Sequence, residues 1–532
     1  MNRFIAFLLL LSANSDARKF YNDDPLLREP KPLRVAKVQH HEISNMFDFL
    51  QNTFAPPGEK QSCARLIQGA AVNTLGEVPD SAWYHNQNTQ SIPLEEIVRG
   101  PGNTNAPSLD APWQILSAKT EGVTPGFQIK DAKGRKYLIK FDPPDNPELA
   151  TSVDVISSRF FFAFGYYTPE NYIVRFTRSQ VAIAPNTTFR DPQGRKRPMK
   201  PRDVDDLLEN VPKDKEGRYR AMASLFLSGD IIGPFRYYGV RLDDPNDVVP
   251  HEHRRDLRGL YVFAAWLNHT DAKSLNSLDC LVSEGDLRYV KHHLIDFGAS
   301  MGSDSVETKR ARAGNEYFVD LRPATARLLT LGVYTTDWER FRYPNIPGVG
   351  NFQAKTFDPE KWKSNYPNPA FDNRLPDDEF WAARKVMALR DEQIRAVVET
   401  GEYSDPRAAD YITSVLIERR DKIGKAFFAK VLPLVNFEVR DGRLAFDDLN
   451  VLYNFAPARA YQAQWSTFDN QTELKHAIAG GNDFSVPPAL AAAATGRYFS
   501  VDISASGDRK TMTVYLRKRG RDLDIVGIDR RW

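Results

Sequence analysis

Cysteine is almost missing: Cys63 and Cys280 are the only two in 532 residues. At most one bridge can form, Cys63–Cys280 in an oxidising compartment, and two buried free thiols satisfy the sequence equally well. Net charge is missing too. Lys and Arg number 71 against 69 Asp and Glu, so no overall field draws the chain to nucleic acid or to an acidic surface. The basic cluster GRKRPMKPR at 194–202 lies in a Pro- and Gly-rich stretch and reads as a solvated loop. No apolar run reaches the roughly 20 residues that cross a bilayer. The longest, Phe4 to Leu11, follows one positive charge and precedes small polar residues up to Ala17. That is the anatomy of a secretory signal, so the expectation is cleavage after Ala17 and a secreted or periplasmic protein without a transmembrane segment. There is no internal repeat, no phosphate-binding GxxxxGK loop and no dinucleotide fingerprint. The sequence HEHRR at 251–255 lacks the second histidine of a zinc helix, because Arg255 occupies that position.

What is present is a composition that is 42% hydrophobic and 26% charged, typical of soluble globular chains, at a length that calls for two or three domains. Residues 18–110 are rich in Pro, Asn and Gly and read as an extended arm with a short helix or two near 41–53. GFQIKDAKGRKYLIKF (126–141) shows two alternating runs about an Asp-Ala-Lys-Gly turn, a hairpin signal. In the segment after it, Asn146 suits a helix N-cap and Pro147 the first helical position. Leu149, Val153, Ile156 and Phe160 then recur at helical spacing until Gly165. A strand is expected at 172–176, and RYRAMASLFLSG (218–229) reads as helical. Leu257, Leu260, Tyr261, Ala264 and Leu267 form one apolar stripe of a buried helix. Residues 303–380 are irregular and aromatic-rich. Helices are expected over 378–400 and 406–431, and an antiparallel sheet at the C-terminus.

The chemistry concentrates in WLNHTDAKSLNSLDCLVSEGDLRYVKHHLIDFGASMG, from Trp266 to Gly302. Asp271 follows the buried helix, with Lys273 and Asn276 close behind. LDCLVSEGDLRYVKHHLI reads as a hairpin that returns Asp296 to the end where Asn276 stands. Phosphoryl transfer needs a lysine on the phosphates, carboxylate and carboxamide oxygens for Mg2+, and a carboxylate to orient the attacking hydroxyl.

The run His269-x-Asp271-x-Lys273-x-x-Asn276 followed by Asp296-Phe297-Gly298 resembles the catalytic loop and metal-binding motif of the protein-kinase-like superfamily. The hairpin before it resembles the nucleotide-covering hairpin and the strand that carries the ATP lysine, here Lys140. The style is that of atypical members: HipA-type kinases, spore-coat and secretory-pathway kinases, and phosphoinositide kinases. The likeness spans about residues 115–302. It implies an α+β bilobal kinase-like core with an extended N-terminal arm and C-terminal helical plus antiparallel β additions. The corresponding spans are 1–17 signal, 18–110 arm, 111–190 N-lobe, 191–431 C-lobe with helical extension, and 432–532 β-rich region. It further implies ATP and Mg2+ as cofactors, Asp271 as catalytic Asp, Lys273 on the phosphates, and Asn276 and Asp296 as metal ligands. The acid that orients Lys140 is Asp154, placed where Asp is a poor helix former and wants compensation, or Glu148 in the first helical turn. The acceptor, whether protein, lipid or small molecule, is not implied.

Two features depart from the family pattern. Gly122 and Gly126 are all there is of a glycine-rich loop, and no Ala-Pro-Glu follows Gly298. These departures leave the acceptor open; besides a phosphotransferase, the resemblance allows transfer of AMP, and export to a compartment poor in ATP allows a nucleotide-binding module without turnover. Gly298-Ala-Ser300-Met-Gly302 also matches a hydrolase nucleophile elbow, with His476 the only histidine downstream. The polar stretch after Gly302 has no apolar stripe to form the helix such an elbow requires.

Overall fold

The computed structural model describes residues 18–532 apart from 63, 88, 90, 91, 103, 119–125 and 191–194. The expected leader 1–17, Cys63 with its proposed bridge, and Gly122 fall outside the described residues. Cys280 is buried and unbridged. The chain divides into two compact units, one of residues 30–70 and 80–426, the other of 18–29, 71–79 and 427–532.

The larger unit is α+β, with a sheet-rich lobe followed by a helix-rich one. Its six-stranded sheet runs in the order Asn171–Phe176, Tyr219–Leu225, Lys136–Lys140, Gly126–Lys130, Trp113–Ala118, Val181–Ile183. All neighbours are antiparallel except the last pair. The central hairpin forms where the turn chemistry sits. The Asp131 carboxylate accepts from the N–H groups of Lys133 (3.0 Å) and Arg135 (2.8 Å), and Gly134 takes φ +79°. Phe127 pairs with Ile139 and Ile129 with Tyr137, all buried on one face beside Trp113 and Phe176. Strand alternation therefore sends Lys140, opposite Gly126, to the other face.

That face carries the helix Leu149–Ala163, of which every residue but Phe162 is buried. It begins later than expected. Asn146 does not cap it; its side chain donates to Thr308 Oγ1 (3.2 Å) and accepts from the Gly348 N–H (3.2 Å). Glu148 is the capping residue, in the left-handed region at φ 68°. The segment read as helix at 218–229 is the strand Tyr219–Leu225, with Tyr219 to Ala223 buried between two neighbours. Ala, Met and Leu prefer helix, but burial inside a sheet overrides that weak preference.

In the helix-rich lobe, Arg255–Leu267 is buried on every side rather than along one stripe. Gly259 lets it approach the helix Pro376–Met387: a Cβ there would stand 2.5 Å from the Trp381 ring. The single helix expected over 378–400 is two, Pro376–Met387 and Asp391–Glu399. The break lets Leu389 and Ile394 both bury. Pro406–Phe428 follows. A three-stranded sheet, Leu287–Leu294, Ser277–Glu284, Asp230–Gly233, carries the segment that matters most.

The second unit is built on a five-stranded antiparallel sheet, Lys475–Ala477, Tyr461–Phe468, Tyr498–Ala505, Thr511–Arg519, Asp522–Arg531, and a separate hairpin of Leu434–Arg440 with Arg443–Asp448. Trp465, Val501, Ile503, Val514 and Leu516 form its core. Phe20, from the start of the described chain, is buried with Phe468, Tyr515 and Val526. The Asn470 carbonyl accepts from the Lys19 N–H (3.0 Å).

Candidate active site

The site lies in the larger unit and starts from Lys140. Its Nζ stands 3.0 Å from Asp154 Oδ2 and 2.7 Å from Asp296 Oδ1, so a sheet strand, a helix and a strand end meet at one ammonium. Burial alone would lower the Lys140 pKa, but Asp154 and then Asp296 outweigh it and hold the group above its ordinary value. Burial pushes the Asp154 carboxyl up, against the pull of Lys140. Asp154 is also held from its other side, accepting from Asn171 Nδ2 at 3.0 Å. Its side chain is 3% exposed, whereas that of Asp296 is 45% exposed. The inner carboxylate is thus a fixture of the fold and the outer one faces solvent.

Glu148, the alternative partner of Lys140, is elsewhere. Its Oε2 accepts from the Ser404 N–H (2.8 Å) and hydroxyl (3.1 Å). The reason is local: the left-handed turn at residue 148 precedes the helix instead of belonging to its first turn.

The hairpin of Ser277–Glu284 and Leu287–Leu294 brings the remaining groups together. Ser277 pairs with Leu294, and the Ile295 N–H donates to the Asn276 carbonyl at 3.0 Å, so Asn276 and Asp296 leave the same end of the sheet. The sharp turn is made by Asp296 itself, at φ 61°, and not by Gly298. Gly298 leaves room beside Ser305: a Cβ there would lie 2.9 Å from Ser305 Oγ, which would have to turn aside, and 3.5 Å from Asp154 Oδ2. Phe297 is buried and stacks on Phe161 with ring centroids 5.0 Å apart, which fixes the motif against the helix of Asp154.

Asp271 sits where the helix Arg255–Leu267 ends in the left-handed Asn268. The Asn268 side-chain oxygen accepts from Trp362 Nε1 (2.9 Å), anchoring the loop. Asn276 Nδ2 donates to the Asp271 carbonyl (2.8 Å) and to its carboxylate (3.0 Å), Lys273 Nζ lies 3.1 Å from Asp271 Oδ2, and Asn365 Nδ2 donates to Oδ1 (3.1 Å). Asn365 also donates its N–H to the Thr270 carbonyl, 2.7 Å. It escaped the sequence analysis because it belongs to an irregular stretch almost a hundred residues on.

Two further groups support the loop from beneath. His269 Nδ1 lies 3.0 Å from Ser300 Oγ, and burial, helped by Lys309, pushes its pKa down to about 4, so the ring is neutral. Lys309 is buried, and its hydrogen bonds go to neutral oxygens. It donates to Thr270 Oγ1 (2.6 Å), the Ala299 carbonyl (2.8 Å) and the Asn268 carbonyl (3.3 Å), tying the Asp271 loop to the segment after Asp-Phe-Gly. Burial lowers its pKa to about 8. Ser300 is fully buried and its histidine contact is His269, while His476 lies on a strand of the other unit. A nucleophile elbow needs an open hydroxyl, so the elbow pattern here is a packing feature.

No family model matches the chain, and no curated protein does. Solved structures similar to it include the Helicobacter pylori proinflammatory kinase CtkA, at 9% identity over 60% of this chain and 97% of that one, TM-score 0.31. A Golgi casein kinase with Mn/ADP bound is 10% identical over 60% of this chain and 72% of its own, TM-score 0.27. The Golgi casein kinase in a second structure gives 8%, 60%, 71% and 0.28. Each likeness is to a solved kinase structure at 10% identity or less. The chemistry has to be read from this chain's own residues.

Proposed function

We propose that this protein is an atypical kinase-like phosphotransferase that uses Mg-ATP. The observation that carries the proposal is the Lys140 ammonium held between Asp154 and Asp296, three residues from three separate segments. Lys140 is the only group of this cluster that can hold phosphate oxygens, and Asp154 keeps it oriented while it does so. Asp271 is positioned by Asn276, Lys273 and Asn365 to accept a hydrogen bond from an acceptor hydroxyl.

The oxygen donors fit a hard divalent cation. Asp296 offers a half-exposed carboxylate, and Asn276, whose amide nitrogen is turned to Asp271, has its carbonyl oxygen for a metal. Among the described residues no three His, Cys, Asp or Glu side chains form a metal cage. Mg2+ is ordinarily held by one or two protein oxygens together with nucleotide phosphates, so a cage is not required. When bound, the ion would neutralise charge on the transferred group.

Incubation with Mg-ATP should release ADP, read by mass spectrometry together with any phosphorylated product. Asp296→Ala should abolish metal-dependent nucleotide binding, and unchanged binding would overturn the assignment. A thermal shift with Mg-ATP but no ADP would identify a binding module without turnover.

A further inference from the structure

The helix Leu321–Leu329 has no buried residue, although Leu is its commonest residue. Leu321, Leu328 and Leu329 are exposed on it, and Leu331 and Val333 just beyond it, Leu331 by 92%. Phe318, immediately before, is also exposed. Single exposed apolar residues need no explanation, but so dense a run does. The helix Asn45–Phe54 meets it at one point. Its Phe49 ring lies 6.5 Å from that of Phe318, and Met46, Phe47 and Phe54 are exposed elsewhere on the same helix.

We infer that this apolar face docks on an anionic lipid bilayer. Charge favours that occupant. Between residues 310 and 343 six arginines stand against four carboxylates, an excess of two positive charges among the leucines. Two of those carboxylates, Glu316 and Glu339, are spent on Arg327, and Asp320 is spent on Lys363. Arg322, Arg340 and Arg342 are exposed. Leucines beside arginines and the half-exposed Tyr334 form the amphipathic combination that an interface of acyl chains and phosphate headgroups accepts.

The face is joined to the catalytic loop. The Phe318 N–H donates to the Asn365 carbonyl (2.7 Å), and Asn365 holds both Thr270 and Asp271. Under the phosphotransferase reading, docking would present Asp271 to hydroxyl groups held at the membrane surface. The docking itself stands without that reading.

Sedimentation of the full chain with vesicles tests it. Vesicles of phosphatidylcholine with phosphatidylglycerol should pellet the protein, and phosphatidylcholine alone should do so at least tenfold less well. L328S/L329S/L331S alters only exposed side chains, so it should fold, and it should lose binding more than tenfold. R340E/R342E should lose the preference for anionic vesicles. The Asp296→Ala variant should pellet like the wild type, which separates this test from that of the phosphotransferase. Failure to pellet, or equal binding to both vesicles, overturns the inference. So does a dimer by light scattering that becomes a monomer in the triple variant, since a second copy would then cover the leucines.

Discussion

Lys140 shows how one residue can be part of the fold and of the site together. Lys140→Ala leaves Asp154 buried without its cation, which should cost roughly 3–5 kcal/mol of stability besides any loss of binding. Asp296→Ala leaves the inner pair in place and removes a half-exposed carboxylate, so its stability cost should stay under about 1 kcal/mol. Urea titration of the two variants, beside nucleotide binding, should therefore separate a large loss of stability from a nearly pure loss of binding. Lys309 gives a pH signature. Its pKa is lowered to about 8 in the folded chain, against about 10.4 when unfolded. Between those values the unfolded chain binds more protons, so this group makes stability rise with pH there and contributes a constant penalty below the window. Melting temperatures of wild type and Lys309→Met from pH 7 to 10 should diverge in slope across that range. These residues differ in how they announce themselves. Asp154 betrays itself as an acid two turns into an apolar helix, where it needs a partner. Lys309 and Asn365 sit in irregular polar stretches, where a structural lysine or asparagine looks like any solvated one, and only the folded chain brings them beneath the loop.

At the scale of elements, the hairpin that returns Asp296 beside Asn276 is legible, because alternation and the Glu284-Gly285-Asp286 turn act within twenty residues. The strand Tyr219–Leu225 is not. Its composition favours helix, and its state is decided by two neighbours from distant sequence. The helix start at Leu149 failed for a different reason. Asn146 has the right side chain for a cap, but Thr308 and Gly348 claim it. Tertiary partners of this kind leave no local trace. The arm helix Asn45–Phe54 makes a comparable long-range claim on the loop: Asp48 accepts from Ser274 (3.0 Å) and from the Tyr366 hydroxyl (2.7 Å). Asp48→Ala should orphan both hydroxyls at a cost of about 1–3 kcal/mol. It should also speed amide hydrogen exchange through residues 270–277, and unchanged exchange there would mean that the arm does not brace the loop.

On the scale of the whole molecule, two compact units with separate cores should not melt as one. Calorimetry should show two transitions. A ligand that binds only the native form at a hundred times its Kd adds about 2.7 kcal/mol to the unit that holds it. Mg-ATP should accordingly raise the transition of the unit containing Lys140 and leave the other where it was. Movement of both, or of neither, would place the nucleotide elsewhere. The division into units is itself hard to read from the sequence, since residues 18–29 and 71–79 carry no mark that assigns them to residues 427–532.

Phe20 waits longest for its neighbours. Phe468 and Tyr515 are made more than four hundred residues after it, so on a ribosome working from the N-terminus the earliest described aromatic stays unhoused until they emerge. Anything fused just upstream of Lys19, an affinity tag for instance, would then be felt more than four hundred residues away, in the assembly of the five-stranded sheet.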